Sequence, residues 1–206
     1  LSGIIANNIQ GTGDFEGKSL IREFDALWES SLTDSASKGH PDIEVVTFDS
    51  RLQTINEILT VTNKPMIVDG DTGGDVNAFE YTVSKLERVG VSAIIIEDKI
   101  FPKRNSLEAG VQQNLEDPEI FAQKIRRGKQ IQDTNEFMII ARLESLIAGK
   151  PMEDAVRRAK IYLQAGVDGI MILSKSKSAD EILEFAKHYK LISKQLNLNK
   201  TLVCVP

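Results

Sequence analysis

The sequence predicts an α/β fold in which a parallel sheet closes into a (β/α)8 barrel, and three observations carry that expectation. Six short runs rich in β-branched residues are apolar along both faces, as strands covered on both sides must be. Segments with helical spacing of apolar residues separate most of them. Polar residues then gather at the C-terminal ends of five runs, as Ser30, Asp69, Asp71, Glu97, Arg142, Glu144 and Ser174. In an open sheet only the loops beside one switch point converge, whereas in a barrel every strand end surrounds one centre, so five contributing strands favour the barrel.

The elements follow in chain order. LSGIIANNI opens in a helix-like pattern, and NNIQGTGDFEGKSLIRE, rich in Gly, Asn and charge, reads as a surface loop or an insertion. The strands are DALWESS (25–31), PMIVDGD (65–71), AIIIEDK (93–99), FMIIARLE (137–144), GIMILSK (169–175) and TLVCVP (201–206). Between them run the stripes Val76, Phe79, Val83, Leu86; Ile120, Phe121, Ile125; Met152, Ala155, Val156, Ala159, Leu163; and Ile182, Ala186, Tyr189. Asp117 before Pro118 marks a helix start, and Gly90 and Gly166 close helices before the next strand. RVGVSAIII and QAGVDGIMI repeat one supersecondary pattern. With a helix first and a strand last, one barrel strand at each end is expected to be missing from this chain, which reads as part of a longer one. No Pro/Ser linker or low-complexity tract interrupts it, so residues 1–206 are expected to form a single domain.

Composition bounds the function. At 206 residues, 41% hydrophobic and 27% charged, the chain can bury a sizeable core. A net charge of −5 argues against a general nucleic-acid binder, so any anion must be held locally. The single Cys204 excludes an internal disulfide and a CxxC metal site and fits a reducing compartment, with the cytoplasm as the expected location. No apolar run approaches the roughly 18 to 20 residues of a membrane span, and no basic-plus-apolar leader opens the chain.

The chemistry-bearing residues cluster. In VDGDTGG, Asp69 and Asp71 are two apart at a strand end and so point to one face, followed by a tight glycine turn. With Glu97 ending the next strand they make three hard oxygen donors, a set suited to Mg2+; capping of the following turns is the plainer alternative. Arg142, inside the apolar IIARLE, needs an anionic partner, either Glu144 or Glu97 or a phosphate or carboxylate ligand. The cationic loop EDKIFPKRNS directly after the AIII strand has the character of a mouth for an anion. Trp28 and Ser30 end the first visible strand, and HPD places Asp42 in the loop beyond. His40 and His188 lack paired ligand spacing, so no zinc or haem site is indicated, and no GxSxG elbow supports a nucleophilic triad.

EDKIFPKRNS resembles the EDK, five residues, NS signature of phosphoenolpyruvate mutases in the isocitrate lyase superfamily. DALWESS, HPD, VDGDTG, IIARLESLIAG and IMILSK occur in that family's order over most of residues 25–175. The resemblance implies a TIM-type barrel that pairs by swapping a C-terminal helix, here beyond Pro206, and assembles as a homo-oligomer. It implies Mg2+ surrounded by Asp69, Asp71 and Glu97, partly through water. Trp28 and Ser30 would line the site for a pyruvyl group, with Asp42 in support. Lys103, Asn105, Ser106 and Leu107 would fall in a lid, Asn105 meeting a phosphoryl group that Arg142 grips from the barrel.

The implied reaction interconverts phosphoenolpyruvate and 3-phosphonopyruvate, forming the C–P bond of phosphonates. One departure stands out: the family's mutases carry histidine before the serine of IMxxSK, and this chain has Leu173. The nearest alternative is phosphonopyruvate hydrolase, which typically has threonine at the position of Asn105. A C–C lyase would need a cysteine-bearing KKCGH-like loop where KIFPKRNS stands, and a non-catalytic barrel is supported only by Leu173 and the missing strands.

Overall fold

The computed structural model describes residues 2–106, 108 and 110–205. It begins with α1 (Ser2–Asn8) and the strands β1 (Gln10–Phe15) and β2 (Lys18–Glu23), followed by β3 (Leu27–Glu29), α2 (Ser31–Ser37), α3 (Phe48–Leu59) and β4 (Met66–Asp69). Then come α4 (Val76–Arg88), β5 (Ala93–Glu97), α5 (Pro118–Ile131), β6 (Met138–Leu143), α6 (Met152–Ala165), β7 (Gly169–Leu173), α7 (Asp180–Leu196) and β8 (Thr201–Val205).

Strands β3 to β8 form one sheet whose spatial order is the chain order, with every neighbouring pair parallel. This is the TIM-type arrangement in incomplete form, with β3 and β8 as the two sheet edges. Side chains sort with the strand period of two. Ile94, Ile96, Ile139, Ala141, Ile170 and Ile172 pack with Phe79, Val83, Phe121, Ile125, Ala155, Ala159 and Phe185 of the covering helices. The alternate residues Ala93, Ile95, Ile140 and Met171 form a second apolar cluster, joined by Ile67, Met138, Leu173 and Val203. Two residues further along three of those strands the same inner face becomes Asp69, Glu97 and Arg142, so the apolar floor ends in charge at the C-terminal mouth.

The caps act as the sequence implies. Asp117 Oδ1 accepts the Glu119 and Ile120 amides at 2.8 and 3.3 Å, with Pro118 in the first turn of α5, and Gly166 ends α6 at φ 101°. The first strand is shorter than expected: Ser30 leaves it to cap α2, its hydroxyl accepting the Thr33 amide at 3.4 Å. The segment expected to be a loop or insertion holds the antiparallel β1–β2 hairpin, closed by Glu16 and Gly17 at φ 50° and 75°. Those two left-handed residues match the twist of a two-residue hairpin turn. No helix among the described residues is long and apolar enough to cross a membrane.

Candidate functional site

The mouth of the sheet brings Asp69, Asp71, Glu97 and Arg142 together with two covering loops. Glu97 and Arg142 are register partners on β5 and β6, and Arg142 Nη2 lies 3.3 Å from Glu97 Oε2. Arg142 also donates from Nε to Glu144 Oε1 at 2.6 Å and from Nη2 to Ser106 Oγ at 3.0 Å. Both partners considered from sequence, Glu97 and Glu144, are therefore engaged. Asp69 accepts the Ser31 hydroxyl at 2.9 Å, and Asp71 takes Arg51 Nη1 of α3 at 3.0 Å. Arg51 also pairs with Glu29, a buried acid that the strand pattern alone did not mark.

The β5–α5 loop supplies the rest. Lys103, 4% exposed, places its ammonium 2.6 Å from Asp71 Oδ1, 3.0 Å from Asp42 Oδ1 and 3.1 Å from Ser31 Oγ. Asn105 Nδ2 donates to Asp42 Oδ2 at 2.7 Å, so Asp42 binds two loop residues at once. Beneath them Lys99 is buried and donates to Ser106 Oγ at 2.6 Å and to the Arg104 carbonyl at 2.9 Å. Lys99 also pairs with Glu144 at 3.1 Å. Asp98 ties this stem to α6, accepting from Arg158 at 3.0 Å and Tyr162 at 2.7 Å.

Burial and charge set the protonation. Burial, reinforced by Glu144, pushes the Glu97 carboxyl up to about 8 against the pull of Arg142, Lys99 and Lys103. Asp69 is also buried, yet Lys103, Arg142 and Arg51 hold its carboxyl below the usual range. Lys103 is buried too, but Asp71, Glu97 and Asp69 raise it well above an ordinary lysine.

The donor chemistry fits a hard divalent cation. Among the described residues neither buried Glu97 oxygen receives a hydrogen bond, their ion-pair partners being Arg142 at 3.3 Å and Lys99 at 3.6 Å, and Asp71 Oδ1 faces the Lys103 ammonium. Oxygen donors of this kind are what Mg2+ takes. As they stand, no three metal-binding side chains among the described residues are spaced to hold an ion. The Lys103 ammonium bridges Asp42 and Asp71 instead.

Of the other expected residues, Trp28 lies on β3 beside Ile67 and is 43% exposed at the open edge. Ser30 sits at the mouth with its hydroxyl engaged in the α2 cap. Leu107 lies outside the described residues. Leu173 ends β7 on the apolar inner face. Sequence reasoning missed Ser31, Glu44, Arg51 and Thr72. Only Ser31 had a legible signal, its place beside Ser30 after the first strand.

Comparison with known proteins gives a consistent result. A family model described as phosphoenolpyruvate phosphomutase matches residues 5–203. A phosphonopyruvate hydrolase of Variovorax sp. (strain Pal2) is 39% identical over 81% of this chain and 58% of its own length. A phosphoenolpyruvate phosphomutase of Tetrahymena pyriformis is 38% identical over 81% of this chain and 56% of its own. The chain thus spans little more than half the length of these relatives. A crystal structure of phosphonopyruvate hydrolase in complex with oxalate and Mg2+ superposes with a TM-score of 0.75 at 36% identity, covering 89% of this chain and 60% of that one.

Proposed function

The chain belongs to the phosphoenolpyruvate phosphomutase family of enzymes, and from that premise we propose that it interconverts phosphoenolpyruvate and 3-phosphonopyruvate. The observation that carries the mutase reading is Asn105, which the β5–α5 loop presents at the mouth, 2.7 Å from Asp42 and beside Lys103. An amide there can donate to a transferring phosphoryl group, while the loop's buried contacts keep water away from it.

In this reading Arg142 faces the phosphoryl oxygens with a planar fork held by Glu144 and Glu97. Lys103 brings a second positive charge from the β5–α5 loop. In the forward direction the P–O bond of the enol phosphate breaks and a P–C3 bond forms, with no net gain or loss of protons. A loose phosphoryl species needs little covalent help, so positioning and charge do most of the work. Trp28 and Ser30 border the space for the pyruvyl group. Asp69, Asp71 and Glu97 would hold Mg2+, which when bound supplies positive charge to the pyruvate enolate oxygen. The reading includes a soluble cytoplasmic protein that forms homo-oligomers.

Hydrolysis of phosphonopyruvate to pyruvate and phosphate is the second reading, favoured by the 39% identity to the Variovorax hydrolase. Phosphorus NMR of a phosphonopyruvate reaction separates the two. A phosphoenolpyruvate signal supports the mutase, inorganic phosphate alone supports the hydrolase, and an unchanged spectrum refutes both.

A further inference from the structure

Glu44 lies between α2 and α3, outside every motif that pointed to the site, yet it holds both loops that border it. Its Oε1 accepts the Thr72 amide at 3.0 Å and the Thr72 hydroxyl at 2.7 Å. Its Oε2 accepts the Lys103 amide at 2.7 Å. Thr72 directly follows Asp71, whose carboxylate meets the Lys103 ammonium at 2.6 Å. These contacts close a ring that runs from Glu44 to Thr72, through Asp71 to the Lys103 side chain, and along that residue's backbone to Glu44. Glu44 itself has φ 59°, a left-handed conformation that a residue with a side chain adopts at some cost and keeps only where its surroundings over-determine it.

A lysine delivers its charge on a flexible four-carbon stem, so the ammonium is well placed only if the backbone beneath it is fixed. We propose that Glu44 is a positioning residue for Lys103, clasping the backbone of the β5–α5 loop to the loop behind Asp71 so that ammonium and carboxylate are set together. A carboxylate suits the task because both oxygens only accept, and all three donors are satisfied at once. Glutamine at this position has one accepting oxygen and must turn its own NH2 toward one of the donors. The catalytic consequence rests on the proposed mutase function; the clasp itself does not.

Amide hydrogen exchange tests the clasp in the intact chain without substrate. Glu44→Gln is expected to speed exchange of the Lys103 amide at least tenfold while the Ile94, Ile95 and Ile96 amides keep their wild-type rates. Thr72→Val removes a hydroxyl that anchors Glu44. It should also speed the Lys103 amide, and it should add nothing further in the Glu44→Gln background. An unchanged Lys103 amide in the folded variants, or a Thr72→Val effect of equal size in both backgrounds, overturns the proposal. If Glu44→Gln fails to fold, Thr72→Val alone decides through the same amide. With phosphonopyruvate, both variants should lower kcat more than they raise KM and increase the share released as inorganic phosphate. Faster exchange with kcat, KM and phosphate share all unchanged also overturns it. A wild-type chain that leaves phosphonopyruvate untouched refutes the proposed function, and the exchange data still decide the clasp.

Discussion

The Lys103 ammonium meets the Asp71 carboxylate at 2.6 Å, with both residues buried, and this pair ties the β5–α5 loop to the end of β4. The Lys103 ammonium, which also pairs with Asp42 and acts on Asp69, offsets the mutual repulsion of these three carboxylates. Burial alone would disfavour their charged forms, and the nearby cation counters that penalty. A divalent ion held as proposed by Asp69, Asp71 and Glu97 would compete with Lys103 for the Asp71 carboxylate.

Replacing Lys103 by methionine keeps the stem and removes the charge. Breaking one side of a buried ion pair typically costs about 3 to 5 kcal/mol, because the remaining charge is left uncompensated. The variant is expected to unfold at lower temperature than wild type without divalent ions. Mg2+ should then raise its Tm by more than it raises that of wild type, since no ammonium competes for the carboxylates. Equal Mg2+-induced shifts in the two proteins would count against shared oxygens.

Turnover of phosphonopyruvate is expected to require Mg2+, and Asp69→Ala is expected to abolish it. Asp69 is buried and kept ionised by Lys103, Arg142 and Arg51, so it is the carboxylate best prepared to meet a cation. Full activity after EDTA treatment would refute the requirement.

Acid stability should depend on Asp154, at the start of α6. Burial alone would raise its carboxyl, but hydrogen bonds from Arg157 at 2.7 Å, Ser145 at 2.9 Å and Arg158 at 2.9 Å bring it below the ordinary value of 3.8. A folded pKa below the unfolded one contributes stability above the unfolded value and loses it as pH falls through the folded value. The wild type should therefore be more stable than Asp154→Asn at pH 7 by urea unfolding. The gap should shrink as pH falls below about 4. A gap independent of pH would show that the charge on Asp154 is not what matters.

Gly128, in the last turn of α5, should resist replacement by alanine. In an open helix the change would gain about 1 kcal/mol of helix propensity. Here an added Cβ would collide with Phe79 of α4 and come within 2.9 Å of Ile139 Cδ1 on β6. Both neighbours are fully buried, and overpacking a tight core typically costs about 1 to 3 kcal/mol, so the net effect should be destabilising. Chemical denaturation of Gly128→Ala would expose the opposite sign directly.

What the sequence made legible follows from how each signal arises. Strands β4 to β7 are apolar on both faces and turn polar at one end, so both their identity and the position of Asp69, Glu97 and Arg142 could be read. Helix α3 escaped because its buried face carries Arg51 beside Ile55, and a cation within the stripe breaks an apolar period. The β1–β2 hairpin escaped because the described side chains of its strands are largely exposed and show no alternation. Glu44 is a polar residue whose importance lies in partners far along the chain, at Thr72 and Lys103, and no local pattern encodes such pairings.

The last prediction concerns Leu173, where the chain departs from the mutases it resembles. A histidine there would be expected to donate to a phosphoryl oxygen, and losing one such aimed donor typically costs about 3 kcal/mol of transition-state stabilisation. Leu173 instead packs at the end of β7 against the inner cluster of Ala93, Ile95, Ile140 and Met171. An imidazole in that place exchanges apolar packing for a polar group that must find a partner, which offsets part of any gain. Arg142, Lys103 and Asn105 already bring donors to the mouth from two directions. Leu173→His is therefore expected to raise kcat/KM for phosphonopyruvate by less than about tenfold, which is about 1.4 kcal/mol. Measuring kcat/KM in both forms decides between a complete site and a crippled one. A gain of about a hundredfold, or roughly 2.7 kcal/mol, would mean that the phosphoryl group lacks a donor that Arg142 and the β5–α5 loop do not replace.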